Sequence, residues 1–267
     1  MDRTPTEILR RIPGFLHSSD ISRMMRAGHR RLYLVCGEHL YANLLLTMAG
    51  GTPHDPQNSP QQAHGRSMLQ MLSSDASRGS LEHPARWVRH LSVSWPLFPT
   101  GEDAHCCELL LRSLSLASSL LSLELRGRSP PAWRYGIDTS PPPPLLLPHL
   151  VALKTDDVQD AICLSNSRRL ESVFIPSPLI SVDLTVLLDS AGSNPAFMKQ
   201  LQLSLELTSI QEVMSTFRDI TSTFRNLSVL CVEFDLGLDF PERPISWTTM
   251  NVSPFNHCNF SGLTLLP

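Results

Sequence analysis

The chain has 267 residues, 42% hydrophobic and 18% charged, with a formal net charge of -3; that is apolar surface enough for one large domain or two modest ones and argues against wholesale disorder. So small a charge sets up no field that would draw in a polyanion, which excludes nucleic acid and an anionic membrane as expected partners. Asp2, Arg3, Glu7, Arg10 and Arg11 break up any secretory signal, and runs such as Leu44-Leu45-Leu46 fall far short of the ~18–20 apolar residues of a membrane span, so the chain reads as soluble and cytoplasmic or nuclear.

From Pro5 to Leu46 the apolar residues recur at helical spacing: Ile8, Leu9, Ile12 and Leu16, then Ile21, Met24 and Met25, then Leu32, Val35, Leu40 and Leu44. Three short helices are predicted, forming a helical domain over residues 1–48. Pro5 suits a first turn, Ser18-Ser19-Asp20 supplies capping side chains for the second helix, and Pro13 predicts a kink in the first.

Residues 49–84 turn to Gly, Pro, His, Gln, Asn and Ser, a composition that reads as a flexible linker, with one or two helical turns at Met68–Leu72 leaning on the next domain.

From Trp87 onward an apolar-x-x-apolar-x-apolar pattern recurs six times, at Val88/Leu91/Val93, Leu120/Leu123/Leu125, Leu150/Leu153/Thr155, Leu170/Val173/Ile175, Met198/Leu201/Leu203 and Leu227/Leu230/Val232. Thr155 makes the third copy imperfect. The central positions are roughly 20 to 32 residues apart, most near 30, the period of a strand-plus-helix repeat. Amphipathic stretches at residues 106–116, 157–164, 182–190 and 210–224 supply the helices. Residues 85–267 are thus expected to form one repeat domain. Proline runs at Ser129-Pro130-Pro131 and Pro141–Pro144 bracket an insertion expected to be an exposed loop, and the segment from Pro241, with Trp247, Phe255 and Phe260, is expected to cap the last repeat.

Because strand side chains alternate, the residues between the aliphatic positions must share the other face: His90, Ser92, Ser94, Glu124, Arg126, Lys154, Asp156, Phe174, Gln202, Ser204, Cys231 and Glu233. Trp95, Trp133 and Tyr135 are candidate anchors for a partner there. Catalytic motifs are lacking: the sequence has no Gly-x-Ser-x-Gly elbow and no phosphate-binding glycine loop. His105-Cys106-Cys107 and His257-Cys258 lack a Cys-x-x-Cys partner for a zinc ion. The six cysteines have no framework spacing and are expected to be buried free thiols, and Asp157 is placed to cap a helix.

The opening residues, Thr4-Pro5-Thr6-Glu7-Ile8-Leu9-Arg10-Arg11-Ile12 through Asp20-Ile21 to Arg30-Arg31-Leu32-Tyr33 and His39-Leu40-Tyr41, resemble an F-box, and the recurring pattern resembles the long, irregular leucine-rich repeats often joined to one. The implied fold is α/β, a three-helix F-box followed by a leucine-rich-repeat arc of parallel strands alternating with helices. The resemblance implies an adaptor of a cullin-based ubiquitin ligase, not an enzyme and without a cofactor. Pro5, Ile8, Leu9, Ile12, Leu16, Val35, Leu40 and Tyr41 would hold the Skp-type linker protein and through it the cullin complex. Ser92, Ser94, Trp95, Glu124, Arg126, Lys154, Asp156, Phe174, Gln202 and Glu233, on the concave face, would bind a protein substrate. The alternative is a leucine-rich-repeat scaffold that binds a partner with no ligase attached.

Overall fold

A computed structural model describes residues 5–26, 29–48, 60–74, 83–95, 103–130, 133, 147–165, 168–191, 195–207, 210–236, 245–247, 250–251 and 263–265. The chain divides into two units, Met1–Leu123 with Pro143–His149, and Glu124–Pro142 with Leu150–Pro267. The division falls well beyond residue 85, because the segment on either side of Trp87 packs with the opening helices.

In the first unit α1 spans Thr6–Arg11 behind Pro5, and at the position of the predicted kink a 3-10 turn, Ile12–Phe15, takes over, since Pro13 has no N–H for an α-helical bond. Helix α2 is Ser18–Arg26. Its opening is capped by His17, whose Nδ1 faces the Ser19 N–H at 3.4 Å, while Ser18, Ser19 and Asp20 form the first turn. Helix α3 is Arg30–Tyr41, and Leu9, Leu32 and Val35, with Met24 against them, form the small core between these helices.

The third helix stops at Tyr41, short of Leu44. There the apolar period changes from helical to two, and Asn43–Thr47 forms β1, parallel to β2 at His90–Ser94 with Leu44 opposite Leu91 and Leu46 opposite Val93. Leu46 is buried whereas Leu45 is 63% exposed, as strand alternation requires.

Within the span read as linker, Pro60–Leu72 forms α4, a helix of 13 residues that lies on β1 and on α5, Asp103–Leu116. Leu69 and Leu72 are fully buried, and Gly65 passes so close to β1 that a β-carbon would sit 2.7 Å from the Thr47 carbonyl oxygen. Two buried leucines in a Gln- and His-rich helix give little periodic contrast, which is why composition alone suggests a linker. A second 3-10 turn, Pro84–Trp87, is capped by His83, whose Nδ1 accepts the Ala85 N–H at 3.2 Å.

Strand β3, Ser122–Arg126, begins in the first unit and ends in the second. The second unit continues with β4 at Ala152–Thr155, α6 at Val158–Ser165, β5 at Ser172–Leu179, α7 at Ser181–Ala191, β6 at Gln200–Leu207, α8 at Ile210–Thr223 and β7 at Val229–Leu236. Strands β4 to β7 are parallel and lie in chain order. The protein is thus α/β, with parallel strands alternating with helices. In the C-terminal segment, β8 is Ile245–Trp247, β9 at Met250–Asn251 pairs antiparallel with the start of β7, and β10 at Leu263–Leu265 pairs antiparallel with β8.

All eighteen side chains of the six-fold sequence pattern are at most 4% exposed. A seventh copy, Tyr41/Leu44/Leu46, precedes them. Five of the junctions between copies are stitched alike: the carbonyl of the second residue in one copy accepts the N–H groups of the second and third residues of the next. Ala42 accepts Arg89 and His90, Arg89 accepts Leu121 and Ser122, Val151 accepts Glu171 and Ser172, Glu171 accepts Lys199 and Gln200, and Lys199 accepts Ser228 and Val229. Backbone groups at a strand entrance need partners, and this seam supplies them.

The imperfect third copy has its own cause. Thr155 and Asp160 are both fully buried, and the Thr155 hydroxyl donates to Asp160 Oδ2 at 3.3 Å while accepting the Asp157 N–H at 3.1 Å. Ser129, also buried, donates to the same carboxylate oxygen. An aliphatic residue would leave the carboxylate one donor short.

Candidate interaction surfaces

Along α1 and the turn after it, Ile8, Ile12 and Phe15 follow one another at spacings of four and three. They are 54%, 36% and 87% exposed, and Pro5 is exposed beside them. Leu9, one residue from Ile8, points the other way into the core with Leu32 and Val35. Of the eight residues assigned to linker binding, Pro5, Ile8 and Ile12 face outward, Leu16 and Leu40 are half-buried, and Leu9 and Val35 are buried. Tyr41 is committed to its own unit: its ring lies 5.9 Å from that of Trp87 and its hydroxyl reaches Met71 Sδ at 3.8 Å. Burial, with Tyr33 beside it, holds the Tyr41 phenol above its ordinary pKa. Phe15, the most exposed of these side chains, is absent from the sequence-based set, which takes its neighbour Leu16 instead, although the spacing of Phe15 from Ile8 and Ile12 is helical.

A groove of about 490 Å³ lies in the same unit, lined by Met25, Tyr33, Leu40, Tyr41, Met71 and Pro84, with Ser22, Arg26 and Ser74 at its sides.

The strand face carries the predicted polar residues. In the first unit His90 is exposed and Ser92 and Ser94 are half-buried. In the second unit Glu124 accepts both Arg126 Nε at 3.0 Å and Lys154 Nζ at 2.9 Å, and the Lys154 ammonium stands 4.9 Å from the centre of the Phe174 ring. The Glu124 carboxylate, first by hydrogen bond and then by charge, holds the Arg126 guanidinium above its usual range. Register places Lys154 beside Phe174, Phe174 beside Gln202 and Gln202 beside Cys231, so the strand pairing itself assembles a row across the face. Ser204 is half-buried and Glu233 exposed.

The aromatic anchors are placed otherwise. Trp95 and Trp133 are 2% and 0% exposed, so neither offers an indole to a partner: Trp95 follows the last residue of β2, where strand alternation no longer governs direction. Tyr135, most of the proline insertion, Phe255, Phe260, His257 and Cys258 lie outside the described residues.

At the C-terminal ends of β3, β4 and β5 a cleft of about 490 Å³ is lined by Asp156, Asp157 and Asp183, by Arg128, Gln159 and Ser177, and by Val158, Pro178 and Leu179, with Gly127 at its rim. Gly127 turns with φ 79°, a conformation that favours glycine, and donates its N–H to Asp156 Oδ2 at 2.7 Å. Asp157 caps α6, as its position predicts, accepting the Gln159 N–H at 3.0 Å.

Among the described residues no group of three or more His, Cys, Asp or Glu is placed to hold a metal ion, and no helix is long and apolar enough to cross a membrane. Cys36, Cys106 and Cys107 are buried thiols. Compared with known proteins, the chain matches no family model and no curated protein.

Proposed function

We propose that the chain is a substrate-recognition adaptor of a cullin-based ubiquitin ligase, an F-box followed by an irregular leucine-rich-repeat arc. The observation that carries this reading is the exposed run Ile8, Ile12 and Phe15 on a helical unit whose own core is filled by Leu9, Leu32 and Val35. Apolar side chains left together in water mark a docking surface, and burying them stabilises a complex by about 25 cal/mol per Å². A Skp-type linker protein is the partner of this reading. The stitched repeats then present Glu124, Lys154, Phe174 and Gln202 to a protein substrate. Tethering that substrate beside a ubiquitin-charged enzyme raises its effective concentration, and no side chain of this chain does chemistry.

Co-expression with a Skp-type linker protein tests the proposal: stoichiometric co-purification supports it, and a chain that elutes alone overturns it. A second reading, a repeat scaffold without a ligase, draws on one observation: Leu9, Val35 and Tyr41 are used up in packing within their own unit, as a helical cap would use them.

A further inference from the structure

We propose that β1 takes an extended segment of a partner protein as one more strand, hydrogen-bonded along the edge that β2 leaves open. This deepens the substrate recognition proposed above, by naming the form in which a substrate is presented, and rests on it.

The first strand of the sheet is paired on one side only. In the second unit β7 is covered at its start by β9, whereas among the described residues β2 is the sole strand partner of β1. Successive residues of a strand turn their N–H and C=O groups to opposite sides. The Ala42 carbonyl accepts His90 and the Met48 N–H donates to Ser94, so Leu44 and Leu46 between them face β2, and Asn43, Leu45 and Thr47 face away. Gly65 of α4 closes on the Thr47 carbonyl. That leaves the N–H groups of Asn43, Leu45 and Thr47 and the carbonyls of Asn43 and Leu45, for which the described residues supply no hydrogen-bond partner.

Natural sheets protect such an edge with a charge, a proline or a bulge. Asn43-Leu44-Leu45-Leu46-Thr47 has none of these: it holds no charged residue and no proline, and its register with β2 runs unbroken from Asn43 opposite His90 to Thr47 opposite Ser94. Leu45, on the strand face beside Ser92, is 63% exposed. A row of alternating donors and acceptors is matched by the backbone of another extended segment, and an apolar side chain set beside Leu45 fixes the register of that segment. A second copy of the chain is a poor occupant. Pairing through five residues alone falls well short of the about 1,200 Å² that a stable association of folded bodies buries. A flexible segment needs no wider surface, because backbone bonds supply its affinity.

Amide hydrogen exchange, followed residue by residue by NMR on the full chain, tests this with a nonapeptide that carries lysine at each end and alternates valine with threonine between. On adding it, exchange at Asn43, Leu45 and Thr47 is expected to slow about tenfold or more, while Leu44 and Leu46, already bonded to β2, change by less than about twofold. The same peptide with every amide N-methylated keeps its side chains but cannot donate, and is expected not to bind by fluorescence anisotropy. Leu45→Pro removes an N–H that β2 does not use, at a place where an edge strand accepts proline, and is expected to weaken binding about tenfold or more. Val182→Ala, an equally exposed apolar position on α7, leaves it within about twofold. Exchange is read on the native chain, so the test stands even where Leu45→Pro fails to fold by circular dichroism. Failure of the first peptide to bind, equal binding of the methylated one, or binding without slowed exchange at the three positions overturns the inference. So does a peptide-free dimer in sedimentation whose Asn43, Leu45 and Thr47 amides are already protected. Capture of the linker protein is read separately, so losing one result leaves the other proposal standing.

Discussion

The indole of Trp87 lies on the backbone of Gly37, where a β-carbon would fall 2.6 Å from Cε3. Tyr33 and Tyr41, four residues to either side of Gly37 on α3, close on the same indole with ring centroids at 5.5 and 5.9 Å. The glycine is therefore a slot, and the slot carries the segment around Trp87 onto the opening helices. Gly37→Ala, which raises intrinsic helix propensity, is expected to destabilise the protein by about 1–3 kcal/mol through overpacking. Urea unfolding of Gly37→Ala, Trp87→Leu and the double variant checks it: in the double variant the alanine costs far less, since the smaller side chain leaves room.

Ile8→Asp with Phe15→Asp is expected to leave stability within about 0.5 kcal/mol of the parent, because both side chains are exposed, and to abolish co-purification with the linker protein. Leu9→Asp buries a charge beside Leu32 and Val35 and is expected to unfold the helical unit. Near-ultraviolet circular dichroism and pull-down on the same samples separate loss of binding from loss of fold.

Thr155→Val restores the aliphatic pattern of the other copies, yet it is expected to cost about 1–3 kcal/mol by removing a donor from buried Asp160. Replacing the whole group, with Ser129→Ala, Thr155→Val and Asp160→Leu together, is expected to recover most of that loss, as apolar substitution of a complete buried polar set often does. Thermal melts of the single and triple variants give the comparison.

Burial raises the Cys36 thiol above its unfolded value of 9.0. The unfolded chain therefore releases this proton at a pH where the folded chain still holds it, so stability is full below pH 9.0 and declines as pH rises above it. Tyr41, also raised above its value of 10.0, extends the decline to higher pH. Urea midpoints measured from neutral to alkaline pH are expected to fall, and Cys36→Ala to show a shallower slope through the first part of that range.

The repeats were legible because their signal is strict: three aliphatic positions at fixed offsets, each buried, with polar residues between them. What escaped was what broke the period. Tyr41, Leu44 and Leu46 form a copy of the same pattern, but they run on from a helix whose apolar residues are still spaced by three and four, so the change of period at Asn43 was hidden. Of helix α4 only the end, Met68–Leu72, was legible, because Leu69 and Leu72 stand among glutamines and a glycine. On the strand face, alternation gives the direction of Glu124, Lys154 and Phe174 but fails for Trp95, which was expected on the same face and is buried one residue beyond the strand. No spacing rule separates outward Ile8 from inward Leu9, since adjacent residues on one turn differ only in what packs against them.

The shared carbonyl at the second residue of a copy, at Ala42, Arg89, Val151, Glu171 and Lys199, makes those turns of the chain tenons cut to one gauge. A turn duplicated or excised whole would present the same two N–H groups and the same acceptor to its new neighbours, whereas a single proline at either donor position would open one seam alone. Length in this protein is thus free to change in whole units and is resisted in fractions of one.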